Sequence, residues 1–202
     1  MKKNIVIAVV VFLNLVLFAV LIYVALTWRP SARVSTTVTP PAPVSDVNAG
    51  LQEFAFNAPG HFAGTNAPSI VNRTLAITAT FDAQAQNGVI VAHGGLAHGY
   101  ALYVQDGELL FALRRLNVLS TISAGKLAAG RHIATATLTK AGDLSLTLDG
   151  KPAASGKAPG VITMQPVDGL DIGADRGAPV GLYEIPNTFG GTIESVHLKT
   201  AP

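Results

Sequence analysis

The sequence predicts an all-β antiparallel sandwich preceded by one transmembrane helix. Three observations carry that prediction: an unbroken apolar run at residues 5–28, a strict apolar–polar alternation that sets in after residue 50, and glycine-containing turn pairs that punctuate it. No amphipathic stretch long enough for a helix separates the alternating segments, so the strands should pair with one another.

The apolar run reads IVIAVVVFLNLVLFAVLIYVALTW. At a rise of about 1.5 Å per residue it reaches roughly 36 Å, enough to cross a hydrocarbon core of about 30 Å with some tilt. A cleavable signal peptide would need a shorter apolar core and a small-residue cleavage site; here the run ends in Trp28-Arg29-Pro30. Residues 1–4, with Lys2 and Lys3, form the short flank that is retained in the cytoplasm, which directs the carboxyl-terminal part outward. The expected location is therefore a bacterial cytoplasmic (inner) membrane with the sandwich in the periplasm. Tyr23 and Trp28 fall in the interfacial belt. Asn14, near the middle of the span, is a candidate for a hydrogen bond to a neighbouring helix.

The 202-residue chain carries 14 Lys plus Arg against 12 Asp plus Glu, but from Val34 onward the count is ten against twelve. The basic balance thus belongs to the membrane flanks, and the exported part lacks the clustered basic face that nucleic acid requires. Zero cysteines exclude disulfides, zinc–thiolate sites and thiol nucleophiles. Residues 29–50, RPSARVSTTVTPPAPVSDVNAG, read as a Pro/Ser/Thr-rich linker spanning at most about 65 Å.

The domain proper should occupy residues 51–202. TLAITATF places Leu75, Ile77, Ala79 and Phe81 on one face, YALYV does the same with Tyr100, Leu102 and Val104, and LSLTL alternates throughout. Asn87-Gly88, Asp106-Gly107 and Asp149-Gly150 supply the positive-φ chemistry of tight hairpins. Strands are expected near residues 74–82, 88–93, 99–105, 108–114, 131–139, 143–149, 168–173 and 190–199.

The segments NRTLAITATFD, GVIVAHGGLAHGYALYVQDGELLF, LAAGRHIATATL, LTLDGKPAASGK and LDIGADRGAPVGLYEIPNTFGGTIESVHL follow the order and spacing of the carboxyl-terminal region of bacterial arylsulfatases. Over about residues 67–200 the chain resembles that region, which implies a jelly-roll sandwich of the concanavalin A-like, laminin-G-like type. The resemblance does not carry the chemistry. Sulfatases use a formylglycine made in a (Cys/Ser)-x-Pro-x-Arg motif on a large catalytic domain, and this chain has neither.

Other chemical patterns are thin, and no catalytic residue is assigned. His93 and His98 in HGGLAHG would need a third ligand to hold a metal, and the glycines explain the segment as a bend between strands. HGG lacks the Gly-x-Ser-x-Gly elbow that would make it an oxyanion loop, and the strand GYALYV stands where a dinucleotide site needs a helix. Asp168, Asp171 and Asp175 in DGLDIGADRG are calcium candidates by ligand type, without EF-hand spacing. Laminin-G-like sandwiches often hold calcium at a loop end. Alternation and turn formation also account for these carboxylates, so no cofactor is required. Asn72-Arg73-Thr74 matches a glycosylation sequon. Arg114, Arg115 and Leu116 in LRRLNVL set cations beside apolar surface, a composition enriched at protein interfaces.

By elimination the sequence predicts no enzyme. It predicts a single-pass, membrane-anchored accessory or scaffold subunit whose sandwich binds a partner protein or a larger membrane complex. The alternatives are a membrane-tethered glycan-binding module and the accessory part of a split sulfatase. The glycan alternative needs exposed aromatic platforms, and Tyr100, Tyr103 and Tyr183 are the only tyrosines after the anchor, with Tyr100 and Tyr103 on opposite faces of one strand.

Overall fold

Alternation is realised most fully in the strand that follows Arg73, where every second side chain from Leu75 to Ala83 is buried. The computed structural model describes residues 53–57, 59–83 and 87–202. The segments 1–4, 5–28 and 29–50, and Asn14 with them, lie outside the described residues. Among the described residues there is no helix long and apolar enough to cross a membrane, and the regular structure is all strand.

Fourteen strands follow in order: β1 (Glu53–Phe56), β2 (Gly60–Phe62), β3 (Thr74–Ala83), β4 (Gly88–Gly94), β5 (Gly99–Gln105), β6 (Glu108–Arg115), β7 (Val118–Lys126), β8 (Gly130–Leu138), β9 (Asp143–Leu148), β10 (Lys151–Lys157), β11 (Leu170–Ile172), β12 (Ala174–Asp175), β13 (Asn187–Thr188) and β14 (Thr192–Ala201). One sheet runs β1-β14-β3-β8-β9-β10; the other runs β12-β13-β4-β5-β6-β7, with β11 bridging β2 and β4. The pairing is antiparallel except for a short parallel contact, Thr188 against Val89.

The core fills the space between the sheets. Leu75, Ile77 and Phe81 of β3, Leu138 of β8 and Leu144 and Leu146 of β9 meet Tyr100 and Leu102 of β5 and Leu109, Phe111 and Leu113 of β6. Burying a residue such as Phe or Leu contributes about 1.5–3 kcal/mol, so this layer supplies most of the driving force. The second sheet is buried on its outer face as well. Val180 and Tyr183, from the segment that follows β12, cover Val89, Ala92, Ala101, Tyr103 and Ala112. That cover explains why β4 and β5 are almost wholly buried rather than alternating in exposure.

Asp106 and Gly107 have φ of 52° and 74°, and Asp149 and Gly150 of 52° and 75°, the two-residue hairpin turns expected from their sequence. Asn87-Gly88 behaves differently. β3 pairs with β14 and β8, and β4 pairs with β5, β11 and β13, so this turn pair lies on a passage between sheets and not at a hairpin tip. A further tight turn has no glycine: Leu116 and Asn117, at φ of 50° and 65°, join β6 to β7.

Candidate functional site

The residues of interest lie at one end of the sandwich and over the outer face of the second sheet, and strand register defines that end. Thr74, which opens β3, pairs with Ala201 near the end of β14, and Glu53, which opens β1, pairs with Lys199. The loops 63–72, 94–98 and 162–168 lie at this same end. Asn72 donates its N–H to the Ile162 carbonyl at 2.7 Å, and Gly95 donates to the His98 carbonyl at 3.0 Å.

Gln165 ties these loops together. Its Oε1 accepts from the Ile70 N–H at 3.1 Å, and its Nε2 donates to the Pro68 carbonyl at 3.0 Å and lies 3.4 Å from His93 Nε2. His93 is fully buried and stands edge-on to Tyr100, and burial pushes its imidazole down to about 3, so it is neutral at physiological pH. With Nε2 accepting from the Gln165 amide, the ring proton sits on Nδ1, which has no hydrogen-bond partner among the described residues. His98 is buried nearby. Among the described residues no three His, Cys, Asp or Glu side chains are grouped to hold a metal ion, so the two histidines gain no third ligand. The bend between them is glycine-dependent: Gly94 has φ of 94°, and a Cβ there would lie 2.3 Å from the His98 carbonyl oxygen and 2.7 Å from Pro166 Cβ.

The three aspartates share a task. Asp168 Oδ2 accepts from the Ala178 N–H at 3.2 Å, Asp171 Oδ1 accepts from Arg176 Nη1 at 2.6 Å, and Asp175 Oδ2 accepts from the Tyr183 hydroxyl at 2.7 Å. Asp171 Oδ1 also stands 3.1 Å from His61 Nδ1. Each carboxylate thus fastens the 176–183 segment over the second sheet. The Arg176 guanidinium supplies the positive charge that Asp171 faces. Burial raises the Asp175 carboxyl above its usual range against the pull of the Tyr183 hydroxyl, and the neighbouring Asp171 and Asp168 charges raise it further.

Arg114 and Arg115, adjacent in sequence, are not brought together. Arg114 Nε donates to the Val180 carbonyl at 2.5 Å and its Nη1 reaches the Asn117 carbonyl at 3.4 Å; Arg115 Nε donates to the Val161 carbonyl at 2.9 Å. Neighbouring positions in a strand face opposite ways, so each arginine clamps a different loop. Leu116, beside them, is 54% exposed.

Sequence reasoning missed the apolar residues around these arginines. Leu96, Met164, Val167 and Leu182 are exposed on the loops of this end or its flank, and Val118 is exposed at the start of β7. Leu96 and Leu182 share with Arg114, Gln105 and Glu184 the rim of a shallow concavity of about 570 Å³. The Leu116–Asn117 turn adjoins it, because the Asn117 N–H bonds the Ala97 carbonyl at 3.0 Å. No periodicity could reveal this set, since its members come from three separate loops and the start of β7. The aromatic side chains of this flank are turned inward: Tyr103 and Tyr183 pack on each other with centroids 4.8 Å apart, and both are buried.

No protein-family model matches the chain, and no curated protein matches it in sequence. Solved structures do resemble it. The Ruminococcus gnavus IT-sialidase CBM40 bound to α2,3-sialyllactose superposes with a TM-score of 0.53 over 73% of this chain and 89% of that one, at 14% identity. The same module bound to α2,6-sialyllactose gives 0.50 at 13% identity, with the same coverage. Domains LG4-5 of the mouse laminin α1 chain give 0.49 at 18% identity, over 74% of this chain and 42% of that one. At these identities the likeness is one of fold, the two-sheet sandwich expected from the sequence. A sulfatase origin is not among the things it shows.

Proposed function

We propose that the chain is a non-catalytic binding module, anchored through residues 5–28 in a bacterial cytoplasmic membrane with its sandwich in the periplasm, and that it docks on a protein of a larger membrane complex. The proposed contact is the flank formed by Leu96, Leu116 and Leu182 around Arg114 and Glu184. The observation that carries the reading is this grouping of exposed aliphatic side chains around a held guanidinium. Soluble surfaces seldom collect apolar residues this way unless something covers them, and an apolar centre with an arginine is the composition of protein interfaces. Linkage to the bilayer would confine the module to two dimensions and raise its effective concentration near a membrane partner. Nothing at the site assembles a nucleophile, a base and a charge-stabilising donor around one point, as catalysis requires.

The structural neighbours include a sialidase module bound to sialyllactose, which makes glycan binding the second reading. Against it, Tyr100, Tyr103 and Tyr183 are all buried and offer no stacking platform. The test is purification of the full chain in mild detergent, beside the variants Leu116→Asp and Leu182→Asp, with each preparation also applied to a glycan array. A stoichiometric membrane protein that co-purifies with the parent and is lost from both variants is the expected result. Retention on sialylated glycans without a co-purifying protein would overturn it in favour of the glycan reading.

A further inference from the structure

The tip of the same end carries a second apolar surface that the docking flank leaves unused. Val167, 89% exposed, and Met164, 60% exposed, project from the loop 162–168. Beside Val167 runs an open groove of about 610 Å³ lined mainly by Ala63, Gly64, Val71, Pro166 and Val167. A smaller hollow of about 290 Å³ joins Met164 and Val167 to Leu96. Two cations border this tip: Lys140 donates from Nζ to the Asn72 carbonyl at 2.5 Å, and Arg115 is held on Val161. The loops are braced from within by Gln165 and by Pro166 packing on Gly94. The exposed side chains thus stand on a supported platform.

Where the chain joins the sandwich points to the occupant. Glu53 opens β1 at this end, so the described part of the chain begins on the apolar tip's side. The Pro/Ser/Thr-rich linker of residues 29–50 spans at most about 65 Å and leads to this end of the sandwich. The ten residues of β3 place the opposite end about 33 Å farther away. On the anchoring reading the point of attachment favours the tip over the opposite end as the surface that meets the bilayer, and a tethered contact needs little affinity of its own to be occupied. Apolar side chains bordered by Lys140 and Arg115, with the Asp168 carboxylate lining the smaller hollow, match the boundary between acyl chains and polar headgroups.

We propose that this tip rests in the bilayer surface, with Val167 and Met164 inserted to the headgroup–acyl boundary and Lys140 and Arg115 facing lipid phosphates. The inference rests on the anchoring reading above and adds an orientation to it: the Arg114 flank is then turned sideways, along the membrane, toward a neighbouring complex.

The absence of native cysteine makes the test direct. Val167→Cys and Ile133→Cys are prepared separately in the full chain, labelled with an environment-sensitive fluorophore, and reconstituted in phosphatidylcholine–phosphatidylglycerol nanodiscs with and without a nitroxide-bearing lipid. Ile133 is exposed and lies toward the opposite end, since β8 begins against the last residue of β3. The label at position 167 is expected to shift to the blue and to lose at least half its emission to the lipid nitroxide, with the label at 133 unchanged. A chain retained in discs whose label at 167 is quenched no more than that at 133 overturns the inference alone. A blue shift without quenching assigns the surface to a second copy or another protein and also overturns it. A chain stripped from the discs by alkaline carbonate overturns the anchoring reading and this inference together.

Discussion

Leu116 holds a left-handed backbone, φ of 50°, while exposing a leucine side chain, a combination that costs about 1–2 kcal/mol relative to an unstrained residue. Glycine would fit that turn without strain, so the leucine is retained against local preference, as is common where a side chain serves a contact. Leu116→Gly should therefore raise the stability of the sandwich by about 1 kcal/mol in urea titration while weakening partner retention. A stability loss of that size would show that the side chain packs for the fold. His93 makes a different prediction. Because its folded value lies near 3, below the ordinary 6.5, the unfolded state binds the extra proton between those limits. Stability accordingly falls as pH drops below 6.5, by up to about 1.4 kcal/mol per unit. His93→Leu should flatten that limb in urea titrations at pH 4.5–6.5; an unchanged slope contradicts the assignment. His132 contributes in the opposite sense. Burial opposes its charge, but hydrogen bonds to the Ala128 carbonyl and Asp149 outweigh burial and raise it. Its contribution is complete below pH 6.5 and is lost as pH rises through the folded value.

At the level of elements, the two arginines that close β6 separate the loops of this end into independently held units. Arg115→Ala removes the clamp on Val161, about 1–3 kcal/mol locally, and should speed amide exchange in residues 158–168 by roughly tenfold or more while sparing residues 176–183. Arg114→Ala should do the reverse, and equal loosening of both loops in either variant would contradict the division. The strands that bear these clamps were readable in advance. β5 and β6 are apolar runs on either side of Asp106-Gly107, and that turn pair sets their register. β7 and β10 were not readable. β7 buries Ile122 alone among its side chains, and β10, KPAASGK, carries no large apolar residue at all. Both are edge strands whose existence follows from the hairpin that feeds them, so Asp149-Gly150 implied β10 although its own composition did not. The turn at Leu116–Asn117 was hidden because neither residue advertises positive φ as glycine does. The grouping of Asp168, Asp171 and Asp175 was visible as a run of carboxylates. Its work, fastening a loop, depends on Arg176, Ala178 and Tyr183 arriving from a fold-back that no local pattern encodes.

At the scale of the whole sandwich, among the described residues, one sheet stacks on another whose β4 and β5 are covered on both faces, and much of the exposed apolar surface lies on the loops where strands turn. That distribution supports a division of labour in which the sandwich is inert framework, the tip meets lipid and the flank meets protein. The most direct test is photocrosslinking in intact membranes, with a photoreactive residue placed at position 116, 182 or 133 of the full chain. The account predicts one and the same protein adduct from positions 116 and 182 and none from 133. Adducts from 133 alone, or a scatter of unrelated products from all three positions, would contradict it.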